Sequence, residues 1–553
     1  MKILGITAPV SWNNAAAVVV DGRLVAAAEE ERFVRLKHSP HLPPVNAMTF
    51  CLKEAGLRFE EIDCIAVGWR GPGSFFVRAL TEEIRNGRLK SATAAAAAAM
   101  DYGIQLLKMR AAFRRQFGDA GILTRKIPWM FVPHHMAHAA SAYFVSGFPQ
   151  AAIMTLDGNG EDDAGMIGKG EGLRIQSMDS IRPQDSLGVL YGKTTNILGF
   201  KEHSHEGKTM GLAAWGRPTD SFDDFMGMNH ARYSLRPDYL PRLEKKYGPR
   251  RAAHEPLSQK HKDLAASVQA ALERAGVSVL KQASALTGLR KFCFAGGVAL
   301  NCDMNAKLLE QPEVEDLFVQ PAAHDAGVSL GAAYCAAAHF GDRSTTIMSH
   351  AAWGPGYTDE SIESFLKEAK IPYVRCQDIA DTAADLLAKG KIVGWFQGRM
   401  EWGPRALGHR SILAHPGRAE MKDKVNVEVK HRETWRPFAP SILHEAGSGL
   451  VEKYRWSPFM LLTFVVKPDK RSDLAAALHV DSTVRLQSVT READPLYHRL
   501  IERFRDRTSI PAVLNTSYND EGEPLVMSPR DAVRTFYTTG LDALAIGSFL
   551  LLK

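Results

Sequence analysis

A chain of 553 residues, 45% hydrophobic and 24% charged, exceeds what one ordinary core holds and predicts two or three globular domains. Its net charge of +6 is mild for that length and is not gathered in a tail, so nucleic acid is not called for as a partner. No apolar run reaches about 18 residues and Met1–Ile6 leads into a strand pattern, which predicts a soluble, cytoplasmic protein without a membrane partner.

The six cysteines are scattered with no Cys-x-x-Cys pair, which predicts reduced, packed thiols. Lys2–Ala8, Ala15–Val20 and Leu24–Ala28 read as strands, the last two joined by an Asp21-Gly22 turn. Glu29–His38 is a dense charge run, either a solvated helix start or a mixed-charge lip on a cleft. Helices are expected over Pro43–Ala55 and Ser91–Met100, and strands over Ile62–Gly68 and Ile127–Val132.

Next comes Pro133-His134-His135-Met136-Ala137-His138, followed by alanines that favour helix. On a helix, His134 and His138 stack on one face, within reach of one cation. Alone, such a pair equally describes two packed histidines. Two aspartates in turn-like settings lift it: Asp157 ends the apolar run Ala151–Leu156, and Asp325 opens the alanine-rich helix Val328–Ala338. The expectation is a two-His, two-Asp metal centre, whose donor set permits several divalent ions.

Glu206-Gly207-Lys208 and the Gly296-Gly297 turn after the strand Lys291–Ala295 suggest close backbone approach to a nucleotide, though either is weak alone. Helical periodicity covers Leu264–Ala285. Between about Gly341 and Tyr357 the pattern breaks into Ser, Thr, Gly and Pro, which places a domain boundary there. A second α/β unit follows, with helices over Asp359–Ala369 and Ile379–Ala388 and a strand over Ile392–Phe396. It carries Arg405, Arg410, Arg436 and Arg485 among glycine, proline and aromatic residues, a setting for partly buried anion recognition. Lys430 and Arg432 alternate, so on a strand both point the same way. Structural pairing with Glu401 and Glu433 is the competing reading, and Asn515, Thr516 and Ser517 offer short polar donors.

Together these blocks, from Ile3 to about residue 540, resemble the NodU/CmcH-type carbamoyltransferases, among them the cephalosporin, nodulation-factor and tobramycin O-carbamoyltransferases. The resemblance implies an α/β protein in two parts. Residues 1–345 would be an actin-like ATPase domain (ASKHA, a duplicated ribonuclease-H-like fold), and 346–553 a YrdC-like domain. It implies that the second makes carbamoyl-adenylate from carbamoyl phosphate and ATP, and that the first passes the carbamoyl group to a hydroxyl of a small biosynthetic acceptor. An amine acceptor, or a nucleotide- and metal-binding regulator without transfer activity, are the alternatives.

By resemblance, His134, His138, Asp157 and Asp325 hold a metal, with Fe2+ implied, and Mg2+ accompanies ATP. Lys430, Arg436, Arg405, Arg485 and Asn515 would be catalytic, with Arg432, Ser517, Thr516 and Arg410 binding carbamoyl phosphate and ATP. Gly296, Gly297, Asn301, Gly160, Glu206 and Lys208 would hold nucleotide in the first domain. Expected partners are ATP, carbamoyl phosphate and the acceptor, and a homodimer is compatible with a two-domain chain. One position departs: the family's histidine after the first strand is Trp12 here, in Trp12-Asn13-Asn14. His38, His135 or another group would then serve the acceptor hydroxyl.

Overall fold

The computed structural model describes residues 1–71, 73, 89–119, 127–229 and 232–553. Strands β1 (Lys2–Ile6), β2 (Ala15–Val20), β3 (Arg23–Glu29), β4 (Cys64–Val67) and β5 (Trp129–Phe131) form one sheet in the order β3-β2-β1-β4-β5. The first three are an antiparallel meander, while β4 and β5 run parallel to β1. Strands β6 (Gln150–Gly160), β7 (Asp163–Glu171) and β8 (Arg174–Ile181) repeat the meander, and β9 (Met226–Asn229) and β10 (Arg232–Leu235) form a small ribbon. With β11 (Lys291–Ala295) and β12 (Asp316–Val319) added in parallel, the second sheet has the order β12-β11-β6-β7-β8. The same topology thus occurs twice, the duplicated ribonuclease-H-like arrangement of an actin-like ATPase.

Two helices lie between these sheets. The helix Ala326–His339 crosses β1 so closely that a side-chain carbon on Gly5 would sit 2.0 Å from the Ser329 carbonyl oxygen. On its other side Gly331 meets the helix His134–Tyr143, where an added carbon would fall 1.7 Å from the Ala137 carbonyl oxygen. Alanine and glycine on both helices permit this spacing; a larger residue fills it. The helix expected over Ser91–Met100 falls within Leu89–Asp119, and that over Leu264–Ala285 within Gln259–Thr287.

The last third builds a mixed eight-stranded sheet. Its strands are β13 (Val374–Arg375), β14 (Val393–Phe396), β15 (Arg410–Ala414), β16 (Ala439–Leu443), β19 (Gln487–Val489), β20 (Ala512–Ser517), β21 (Ala543–Ile546) and β22 (Phe549–Leu552), in the order β13-β22-β21-β14-β15-β20-β16-β19. Strands β17 (Phe464–Val465) and β18 (Thr483–Val484) form a separate ribbon. Lys430 and Arg432 are not on a strand. Val425–Val429 closes as a π-helical turn capped by Lys430, which sends the two side chains to different partners.

The two parts share one core. Trp402, Leu407, Phe459, Met460 and Leu461 of the C-terminal unit belong to the apolar cluster that runs through both ribonuclease-H-like sheets. Buried charge crosses the same junction. Arg32, 3% exposed, contacts both Glu29 and Glu31 and donates to the Gly403 carbonyl at 3.0 Å, while the Gly403 amide donates to Glu29 at 3.2 Å. Arg399 returns the contact, donating to the Val25 carbonyl at 3.2 Å. The Glu29–Arg32 part of the charge run is therefore neither solvated nor a lip; it is packed into the junction. Among the described residues no helix is long and apolar enough to cross a membrane.

Overpacking the helix crossing is testable. Gly331→Ala is expected to lower the unfolding free energy by ~1–3 kcal/mol, read as a lower urea midpoint with an unchanged denaturant slope.

Candidate active site

The histidine helix, the end of β6 and the start of the helix Ala326–His339 converge on one point. The Nε2 atoms of His134 and His138 lie 3.1 Å apart, and His138 Nε2 lies 3.0 Å from Asp157 Oδ2. Asp325 Oδ1 is 3.8 Å from His134 Nε2 and 3.9 Å from His138 Nε2. One donor atom from each of the four falls within 4.8 Å of the others. The aspartates are themselves held: Asp157 Oδ1 accepts from the Gly158 amide at 2.7 Å, and Asp325 Oδ2 from the Trp12 amide at 3.1 Å. Two ring nitrogens facing each other with two carboxylates behind them demand a shared cation or proton. The donor set fits a divalent metal.

Without a metal the proton takes that post. Burial works against a charged His134, but Asp157 and Asp325 outweigh it and raise its pKa to about 9. His138 is pushed the other way, by burial and then by His134. Burial alone would raise Asp157; its hydrogen bonds to both histidines instead hold it well below the usual carboxylate range. His135 stands apart. Its Nδ1 meets Thr155 Oγ1 at 3.0 Å, its Nε2 donates to the Asp163 carbonyl at 3.0 Å, and burial pushes its pKa down to about 3. Both nitrogens are spent on the scaffold, which removes His135 as a proton acceptor for a substrate.

Of the expected nucleotide residues, Gly297 lies beside the cluster, where an added carbon would be 2.9 Å from Asp157 Oδ1. Gly160 leaves room for His134, since a carbon there would come within 2.1 Å of the ring. Gly296, at φ +92°, is required by the Leu156 backbone, 2.1 Å from where its side chain would begin. Asn301 is occupied: it caps the helix Cys302–Leu309 through the Met304 amide and exchanges amide hydrogen bonds with Gln269. Glu206 accepts from the His203 amide at 2.6 Å. Lys208 reaches across the junction, 2.9 Å from Glu433 and 3.6 Å from Glu521.

On the C-terminal side the basic residues lie close enough to shift one another's charge, with one exception. Lys430, 3% exposed, donates to the Ser517 and Asn519 carbonyls and to Asn519 Oδ1. Loss of water, then Arg432 and Arg436, push its pKa well down. Arg405 and Arg432 are each lowered to about 9, by loss of water first and then by a neighbouring guanidinium: Arg485 beside Arg405, Arg436 beside Arg432. Arg436 is lowered as well, chiefly by loss of water. Nε of both Arg405 and Arg485 is buried without a hydrogen-bond partner, and so is Asn515 Oδ1. Crowded like charges and the two orphaned arginine donors are what an anion relieves; the Asn515 oxygen is an acceptor and calls for a donor instead.

Arg410 is the exception. Its terminal nitrogens donate to the Gln397, His409, Pro355 and Gly398 carbonyls, and its guanidinium lies 3.8 Å from the centre of the Phe396 ring. Those four carbonyls tie it to the scaffold, although its Nε, like those of Arg405 and Arg485, is buried without a hydrogen-bond partner. Alternation along β20 likewise turns Thr516 to the face opposite Asn515 and Ser517. Glu401 makes no direct ion pair among the described residues, though its charge favours Arg410 and Arg32; its Oε1 accepts the Leu407, His409 and Arg410 amides at 2.7, 2.8 and 3.0 Å, which folds the loop that presents Arg405. Asn519 and Glu521 were not singled out by sequence reasoning. Position relative to Lys430 and Lys208 identifies them, and no local pattern does.

Because His134 keeps a proton until about pH 9 in the metal-free protein, a divalent cation binding near neutral pH must displace it. Calorimetric titration in two buffers of different ionisation enthalpy is expected to show close to one proton released per metal. His134→Ala is expected to lower metal affinity and abolish that release.

Comparison with known proteins agrees along the whole chain. The family model "Carbamoyltransferase N-terminus" matches residues 2–334 and "Carbamoyltransferase C-terminus" matches 384–553. Nodulation protein NolNO of Sinorhizobium fredii is 41% identical over 553 residues, covering 98% of this chain and 79% of that protein. An uncharacterised protein of Synechocystis, sll1178, is 36% identical, covering 100% and 96%. Nodulation protein U of Sinorhizobium fredii is 27% identical, covering 94% of each. Matched in both halves and at that identity, this chain belongs to the carbamoyltransferase family and is a transferase enzyme.

Proposed function

We propose that the unit 346–553 makes carbamoyl-adenylate from carbamoyl phosphate and ATP. The unit 1–345 then transfers the carbamoyl group to a hydroxyl of a small biosynthetic acceptor. The observation that carries this reading is the pairing of two unlike sites across a dry junction: uncompensated guanidinium groups on one side, an imidazole–carboxylate cluster on the other. The C-terminal unit is YrdC-like in this reading.

Arg405, Arg432, Arg436 and Arg485 neutralise the phosphates, while Lys430, its ammonium bound by Ser517 and Asn519, adds its charge and holds the Ser517–Asn519 turn beside them until a phosphate exchanges for one of those acceptors. Water cleaves carbamoyl phosphate to carbamate and inorganic phosphate, and a carbamate oxygen then attacks the α-phosphorus of ATP. An oxygen–phosphorus bond forms and pyrophosphate leaves, with Mg2+ on the ATP. In the second step the acceptor oxygen attacks the carbamoyl carbon, the bond from that carbon to the AMP oxygen breaks, and AMP departs with the electron pair. A divalent ion, Fe2+ by resemblance, held by His134, His138, Asp157 and Asp325, supplies Lewis-acid polarisation when bound. Gly297 and Gly160 keep the approach to those residues clear. Carbamate and its adenylate decompose in water, so the shared core between the units has a chemical purpose.

Pyrophosphate release from ATP is expected to depend on carbamoyl phosphate and to fall about 10²–10³-fold in Lys430→Ala, the loss seen when one preorganised donor is removed. ATP turnover indifferent to carbamoyl phosphate would refute the reading.

A further inference from the structure

The helix Leu89–Asp119 is apolar on two opposite faces. One is packed: Tyr102, Leu106, Met109 and Phe113 are buried in the core of the first sheet with Phe59 and Ile62. The other is bare. Met100, Ile104 and Leu107 are 70, 45 and 65% exposed, and the exposed Ala97 and Ala111 extend the row at each end. Large apolar side chains scattered singly over a surface need no explanation, but three in a row on one helix face do.

Spacing says what the row is shaped for. Ala97, Met100, Ile104, Leu107 and Ala111 alternate steps of three and four residues, the a and d positions of a heptad, and Arg114 at the next such position ends the row. Only that seam is apolar. The flanking e positions hold Asp101 and Lys108, and the flanking g positions hold Gly103 and Arg110. A helix lying in a lipid surface presents an apolar face about 100° wide or more. A narrow seam bordered by charge fits a second helix instead. Within the chain those two e-position charges are barely engaged. Asp101 accepts from Gln105 at 3.5 Å, and neither Asp101 nor Lys108 has an ion pair among the described residues.

We propose that this seam is the contact between two copies of the chain, the exposed faces of the two helices packing antiparallel about a two-fold axis. The charges choose both the partner and its direction. In an antiparallel pair of identical helices the e side of one lies along the e side of the other. Asp101 then meets Lys108 of the second copy, and Lys108 meets the Asp101 there, so a single self-complementary surface satisfies both chains. The same register sets Ile104 against Leu107 of the second copy, Met100 against Ala111, and Gly103 against Arg110. Parallel pairing would leave Lys108 facing only Gly103. The contact is independent of the carbamoyl-transfer reading and uses none of the residues placed in either site.

Sedimentation velocity of the full chain across a range of concentrations tests it. The wild type is expected to shift from the 60.8 kDa monomer to twice that mass. Leu107→Glu buries a charge in the seam and should raise the dimer dissociation constant about tenfold or more. Asp101→Lys and Lys108→Asp each set like charges face to face and should weaken the dimer. The double exchange, Asp101→Lys with Lys108→Asp, restores opposite charges and should restore association. All three positions are exposed, so circular dichroism and the thermal midpoint of each variant monomer should match the wild type. A wild type that stays monomeric at every concentration overturns the proposal. So does a dimer indifferent to Leu107→Glu, or a double exchange as weak as the single ones. Flotation of the monomer with phosphatidylserine vesicles, without self-association, assigns the face to lipid and overturns it as well.

Discussion

Both sites depend on a junction that excludes water while holding charge. Arg32 is surrounded by Glu29, Glu31 and the Gly403 carbonyl, and apolar residues of the C-terminal unit extend the core around it. A buried ion cluster of this kind contributes little net stability, because desolvation offsets most of the attraction. Its value is geometric. Arg32 and Gly403 bind only when these segments meet in one register, which ties Glu29–Arg32 to the loop that carries Gly403.

The same physics explains the strain among the basic residues. Each guanidinium loses water and faces another, and nothing on the protein fully repays that. Glu433 partly does, but Lys208 of the other unit also claims it. Glu433 is thus shared between Arg436 and Lys208, two cations from distant parts of the chain.

Much of the architecture was legible because it rests on local pattern. The strands of the first meander, the start of β6, the histidine helix and the helix Ile379–Ala388 follow from alternation, spacing and alanine content, whereas β7 and β8 were not read from the sequence. His134 and His138 were readable for the same reason, and Asp157 because an apolar run ends on it, although β6 continues past it as an irregularity to Gly160. Arg405 and Arg410 could not be told apart, five residues apart in one glycine-rich loop. Only the carbonyls that surround Arg410 separate brace from binder. The π-helical turn before Lys430 carries no local signal, and the strand reading failed there.

The Gly5 contact also bears on how the chain comes off the ribosome. The first sheet is covered by a helix that begins about 320 residues after β1 ends. At ~5–20 residues per second, that cover follows some 15–65 s later. The face that carries Leu4, Ile6 and Val18 is covered early by the helix Val45–Glu54, but until then the opposite face lacks the helix Ala326–His339. Production of this enzyme is thus exposed to aggregation in proportion to elongation time, and a holdase or slower initiation should matter more to its yield than any single contact in the finished fold.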